Sequence, residues 1–356
     1  MGRIALISIG LSDALDMSLR ALEESKACDH LYAELYTTVL NTGVVELSRL
    51  IGKPVTPLRR SDLEEEAERI LREAEEKRVG ILVGGDCLTA TTHLTLLLDA
   101  KKRGIETQVI HGSSILTAIA ETGLSLYHFG KTVTVPLPLM DQGELRPPIS
   151  PYQVLDENLK RGLHTLLLLD LDAERGRYLS ANGAMRLLLA SEEEEGRGVF
   201  TEETLAVGMA RLGSESAIVK GGLIRDLLGF DFGSPPHVLI VPGRLHFLEE
   251  EALKILACTS DEDLKTRGKY AEDLEERTEK YIKGAEKVLA ELSLLPLPRT
   301  IDEARVREAL GYAEMYLKDA DHYLKEGRKP SALTSVCYCE GILDALRLLK
   351  LVDFEW

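Results

Sequence analysis

The chain has 356 residues, 44% of them hydrophobic and 29% charged, the make-up of a soluble globular protein of two or three domains. Its formal net charge of -16 argues against direct nucleic-acid binding, because phosphate contacts need a basic surface. No run reaches the ~20 apolar residues of a membrane span, and five scattered cysteines argue against a disulfide framework, so a cytoplasmic protein is expected.

The opening "MGRIALISIGLSD" lacks a small-residue cleavage site, and Leu6 stands where a myristoylation signal carries Ser or Thr. Residues 3–10 therefore read as a first strand, followed by a helix over about 15–25 and a second strand at 30–35. The spacing of Leu63, Ala67, Ile70, Leu71 and Ala74 predicts a helix over 62–77. A strand at 79–83, a helix from "GGDC" to about Lys102, a strand at 106–112 and a helix opened by Ser113 and Ser114 come next. A strand at 132–135 closes this unit. Such alternation implies a mostly parallel sheet with helices on both faces.

Residues 135–151 read as a proline-rich linker. Beyond it come a helix at 151–162, a strand at 164–171 and a helix at 181–195, then strands at 204–213, 216–222 and 237–243. Closely spaced strands suggest antiparallel pairing, hence a mixed sheet. From about Thr259 the pattern is helical only. One stripe runs through Tyr270, Leu274, Tyr281, Ala285, Val288 and Leu292, and a second from Val306 to Leu324. A third helix starts near Pro330, with Leu333, Val336, Leu343, Leu346 and Leu349 on its apolar side. Three helices with short connections imply an antiparallel bundle.

The segment "LVGGDCLTATTH" (82–93) carries the clearest chemical signal. Two glycines and Asp86 stand at the carboxyl end of a strand, where ligands bind in open α/β sheets. Gly10 stands alone, without a dinucleotide-binding fingerprint, and fits a tight turn or a ligand wall equally. Cys87 reads as a small buried thiol rather than a nucleophile. Cys337 and Cys339 fall on different helix faces, and histidines 93, 111, 128, 164, 237 and 246 are dispersed, so no metal is expected. Without evident acid–base machinery, the pattern suits a reaction governed by positioning, such as group transfer from an activated donor.

Eight segments in order, "IGLSDALDMS", "AELYT", "GGDCLTATTH", "VIHGSSI", "TGLSLYHFGK", "RGLHTLLLLDL", "GVFTEETL" and "DFGSPPHVLIVPGRLH", give residues 1–258 a specific likeness. They resemble the tetrapyrrole-methylase-like family of S-adenosylmethionine (SAM) methyltransferases, in the branch that acts on translation elongation factor 2. The resemblance implies an α/β fold of two domains, parallel-sheet (1–135) and mixed-sheet (136–258), with the cofactor between them and usually a homodimer. It implies SAM contacts at Leu11, Asp86, Thr89, Ser114, Ile115, Leu169, Leu212 and His237, with S-adenosylhomocysteine as product. Two departures stand out: Cys87 replaces the family's usual proline, which should loosen the turn, and Ser8 replaces a glycine.

The implied activity is repeated N-methylation of the amino group on a modified histidine of elongation factor 2, on the way to diphthamide. Glu34, Tyr36 and His111 are candidate proton acceptors because they lie in matching motifs near strand ends. Residues 262–356 resemble a small archaeal helical domain of unassigned function, read either as a stabilising bundle or as a docking module. Alternatives are a methyltransferase for a tetrapyrrole or corrin precursor and a non-catalytic SAM-binding scaffold.

Overall fold

The computed structural model describes residues 2–141, 144–266, 274–298 and 301–356. The chain divides into two units, residues 1–270 and 271–356.

The first unit contains two five-stranded sheets. The first comprises β1 (Arg3–Gly10), β2 (His30–Glu34), β3 (Thr56–Leu58), β4 (Arg78–Gly84) and β5 (Glu106–Ile110), in the order β3-β2-β4-β1-β5 and parallel throughout. Ile4, Leu6, Ile7, Ile81 and Leu82 are fully buried, as central strands covered on both faces require. The second sheet comprises β6 (Val133–Val135), β7 (Thr165–Leu169), β8 (Leu205–Ala210), β9 (Ile218–Leu223) and β10 (His237–Val241), in the order β9-β8-β10-β7-β6. Only the β6–β7 pair is parallel, so this sheet is mixed.

The strand expected to close the first sheet therefore belongs to the second, where it pairs with β7. Its three residues carry no signal that selects a sheet. The proline-rich stretch is no plain linker: a short ribbon pairs Leu139–Asp141 with Glu144–Arg146, and a helix runs from Ile149 to Lys160. Residues Ala181–Glu195 form a helix whose N-cap, Ser180, accepts the Gly183 N–H, and which ends at Gly196 in the left-handed region. The segment expected as one helix over 62–77 breaks into Arg60–Glu64 and Ala67–Glu76. A helix over Val44–Ile51 and strand β3, both absent from the sequence reading, complete this side of the first sheet.

The second unit has helices Leu274–Glu291, Glu303–Lys325 and Lys329–Leu348, around a core that includes Ala285, Val288, Ala313, Val336 and Leu343. Tyr270, expected on the first stripe, lies outside the described residues. Leu349 was expected on the apolar side but is 66% exposed, because the third helix ends at Leu348. Val352 and Phe354 pack into the core, and Trp356 Nε1 donates to Asp344 Oδ1 at 2.9 Å. Cys337 is exposed and Cys339 buried; all five cysteines are free thiols.

Candidate active site

Loop tips at the carboxyl ends of the first sheet face residues 168–171, 209–212 and 236–238 of the second sheet across a cavity of about 360 Å³. Gly84 and Gly85 stand on its wall, and Gly85 belongs to a paired glycine turn. Gly10 and Gly85 exchange two backbone hydrogen bonds, at 3.2 and 2.7 Å, and both have positive φ, at 110° and 72°. A Cβ on Gly10 would stand 2.4 Å from the Asp16 Cβ, so this position needs glycine. A Cβ on Gly85 meets nothing within 4 Å, which leaves bare backbone at the cavity wall.

Asp86 lines the cavity but acts chiefly as a clamp. Oδ1 accepts from the Leu88 N–H (3.0 Å) and Thr89 Oγ1 (3.2 Å); Oδ2 meets the His111 ring (2.8 Å) and the Gly112 N–H (3.2 Å). Burial pushes its pKa up, but the Leu88, His111 and Gly112 hydrogen bonds together outweigh that and hold it below the usual carboxylate range. The loops after β4 and β5 are thereby tied together.

The threonine-rich segment after Asp86 does not open a helix. Residues 85–93 form a loop, with Ala90 at φ 55°, and the helix starts at Leu94. Thr89, Thr91, Thr92 and His93 thus all reach the cavity wall. Cys87 is buried, and its N–H donates to Ser8 Oγ at 2.9 Å. The N–H that the expected proline would lack is thus held by the serine that stands where the resemblance expects a glycine.

Leu11, Asp86, Thr89, Ser114, Ile115, Leu169, Leu212 and His237 all line this one cavity. Ser114 caps the short helix Ile115–Ala118, and its side chain accepts the Leu116 N–H. His237 is a bracket: Nδ1 accepts the Ala181 N–H, and Nε2 lies 3.1 Å from the carbonyls of both Gly233 and Ser234. Burial lowers its pKa, which favours the neutral ring.

The three proton-acceptor candidates separate. Tyr36 lines the cavity, with the Arg60 guanidinium 5.5 Å from its ring centroid. His111 binds Asp86, and its side chain is 70% exposed, outside the cavity lining. Glu34 has no exposed surface and accepts the N–H groups of Tyr36 and Thr37 at 2.9 Å. Sequence reasoning missed Arg60, His93 and Asp170 on the wall. Asp170 was detectable in principle, because "LLLLDL" places a carboxylate just past an apolar strand; its Oδ1 accepts the Leu171 N–H and Oδ2 the Leu137 N–H.

Histidines that looked dispersed also meet elsewhere. His128, His164 and Glu249 bring their polar atoms within 4.8 Å of one another. The Gly243 N–H donates to His164 Nδ1 at 3.0 Å, which places the neutral ring's proton on Nε2, facing Glu249 Oε1 at 3.1 Å. Glu249 also accepts the N–H groups of Ser125 and His246. The hydrogen bonding is that of a structural bracket, with no free lone pair on His164 for a cation.

Comparison with known proteins agrees with this architecture. The family described as tetrapyrrole (corrin/porphyrin) methylases matches residues 3–221, and a family of unknown function (DUF357) matches residues 280–352. The diphthine synthase of Methanosarcina mazei is 46% identical over 257 residues, 71% of this chain and 96% of that protein. The diphthine synthase of Methanocaldococcus jannaschii is 42% identical over 256 residues, 71% of this chain and 98% of that protein. A crystal structure of diphthine synthase superposes with a TM-score of 0.67 at 35% identity, covering 74% of this chain and 99% of that one. The chain therefore belongs to the tetrapyrrole methylase family, among the diphthine synthases, and is a SAM-dependent methyltransferase.

Proposed function

We propose that the cavity binds SAM and that the enzyme repeatedly methylates the amino group of the modified histidine of elongation factor 2 in diphthamide biosynthesis. The observation that carries this is the convergence, on one cavity, of the eight residues that the family likeness assigns to the cofactor. They arrive from two sheets and from segments scattered between residues 11 and 237.

The residues present fit the group. Leu168, Leu169, Met209 and Val238 offer apolar surface for a heterocycle, bare backbone at Gly85 allows close approach, and Asp170 puts a carboxylate on the same wall. SAM supplies an activated methyl on a positively charged sulfur. The protein's own task is then to bind, orient and exclude water. A free α-type amine titrates at about 7.7–8.0, so much of it is already a neutral nucleophile near pH 7.5.

We take residues 1–132 and 133–270 as the two methyltransferase domains and 271–356 as an appended helical domain; the boundaries expected at 135 and 262 shift because β6 pairs in the second sheet and Leu264 packs into its core. The enzyme acts in the cytoplasm as a homodimer. Leu126, Tyr127, Phe247 and Leu248 support the dimer: these large apolar side chains are exposed where Glu249 joins the 125 and 246 backbones. Mass spectrometry of archaeal elongation factor 2, before and after incubation with enzyme and SAM, tests the function. Stepwise methyl additions on the modified histidine are expected; an unchanged factor would reject the reading.

A further inference from the structure

The cavity wall holds a chain of three polar side chains with a use in the reaction. Thr91 lines the cavity, and its Oγ1 lies 2.7 Å from His93 Nδ1. His93 is 4% exposed, and its Nε2 lies 3.5 Å from Oε2 of the fully buried Glu34. Glu34 is fixed by the N–H groups of Tyr36 and Thr37 and by Thr37 Oγ1, 2.8 Å from Oε2. The Cys87 carbonyl lies 3.3 Å from the same Nδ1. An oxygen thus faces each ring nitrogen, Thr91 Oγ1 at Nδ1 and Glu34 Oε2 at Nε2.

We propose that Thr91, His93 and Glu34 form a proton relay that deprotonates the substrate amine between successive methyl transfers. This rests on the amine-methylating function above. When the amine nitrogen bonds to the methyl carbon, the carbon–sulfur electron pair stays on sulfur, and the nitrogen is left positively charged. It has no lone pair for another transfer until it loses a proton. That proton passes to Thr91 Oγ1, whose own proton moves to His93 Nδ1. Glu34 balances the resulting imidazolium until its proton returns to solvent. Thr91 touches the substrate and is catalytic, whereas His93 and Glu34 act through it and are positioning and proton-holding residues.

The test uses the full chain, archaeal elongation factor 2 and SAM, with products resolved by mass spectrometry. Thr91→Val and His93→Gln are expected to lower kcat about 10²-fold, as loss of general-base catalysis does. Singly methylated factor should accumulate. Thr91→Ser, which keeps the hydroxyl, should restore most of the rate; Glu34→Gln should fall between the two. Wild-type rates and product distribution in Thr91→Val would overturn the relay, and so would a Thr91→Ser variant as slow as the valine. If His93→Gln fails to fold, the Val and Ser pair at position 91 still decides. A wild-type enzyme that leaves the factor unmethylated overturns the functional reading and the relay together, whereas an active wild type with a normal Thr91→Val sinks the relay alone.

Discussion

The hydrogen bond from the Cys87 N–H to Ser8 Oγ makes the two departures from the family pattern one device, and Ser8→Ala tests it. Both residues are buried, at 1% and 0% exposure, and the bond is 2.9 Å long. Removing the hydroxyl leaves a buried N–H without a partner, which costs about 1–3 kcal/mol. At roughly 2–4 °C per kcal/mol for a domain of 150–250 residues, Tm should fall by several degrees. Cys87→Pro in the Ser8→Ala background deletes the orphaned N–H, so the penalty should largely disappear. In the wild-type background the same proline breaks the bond and should destabilise. A double-mutant cycle by calorimetry, following the transition of the larger unit, should show coupling of about 1 kcal/mol or more. Strict additivity, or a Ser8→Ala variant as stable as wild type, would refute the pairing.

Acidification should destabilise the enzyme first through two buried histidines. Burial lowers the pKa of His164 and His237, so the unfolded chain takes up protons near pH 6.5 that the fold refuses. Tm should be level above pH 7 and decline below about 6.5; a flat profile down to pH 5 would contradict the bracket roles of both rings. A second decline is expected at lower pH. Burial raises the pKa of Asp86 and Glu249, but N–H donors outweigh it, and this stabilisation is lost as pH falls through their depressed values. Residues 1–270 expressed alone should fold and methylate like the whole chain, because 257 residues of this chain span 96% of a curated relative. An insoluble or inactive fragment would give the helical unit a structural part in catalysis. Tyr127→Asp with Phe247→Ser should shift sedimentation to a monomer; an unchanged dimer would move the interface elsewhere.

The elements that position the site were legible where local chemistry alone decides them. β1 spans residues 3–10, as the sequence predicts, since an apolar run interrupted only by Ser8 and ending at a glycine leaves little choice. The helix Ala181–Glu195 was equally plain, because Ser180 and Gly196 mark its ends. The sheet that β6 joins and the loop 85–93 were not, because each is decided by a partner remote in sequence. Three residues cannot announce which sheet takes them, and Thr91, Thr92 and His93 look like a helix start until the Asp86 clamp holds the preceding turn against β5. The relay has the same origin. β2 pairs with β4 in a parallel register that sets Glu34 beside Val83, and the loop leaving β4 folds back so that His93 meets that carboxylate. In sequence, Glu34 is a charge at a strand end and His93 a helix-flanking imidazole, each with an ordinary structural explanation. Register brings them together, and a parallel register is fixed by crossover helices and by the burial of whole strands, which no short motif encodes. The residues that line the cavity from turns were therefore nameable from the sequence, and Glu34 with them, whereas Thr91 and His93 as partners of Glu34 required the sheet.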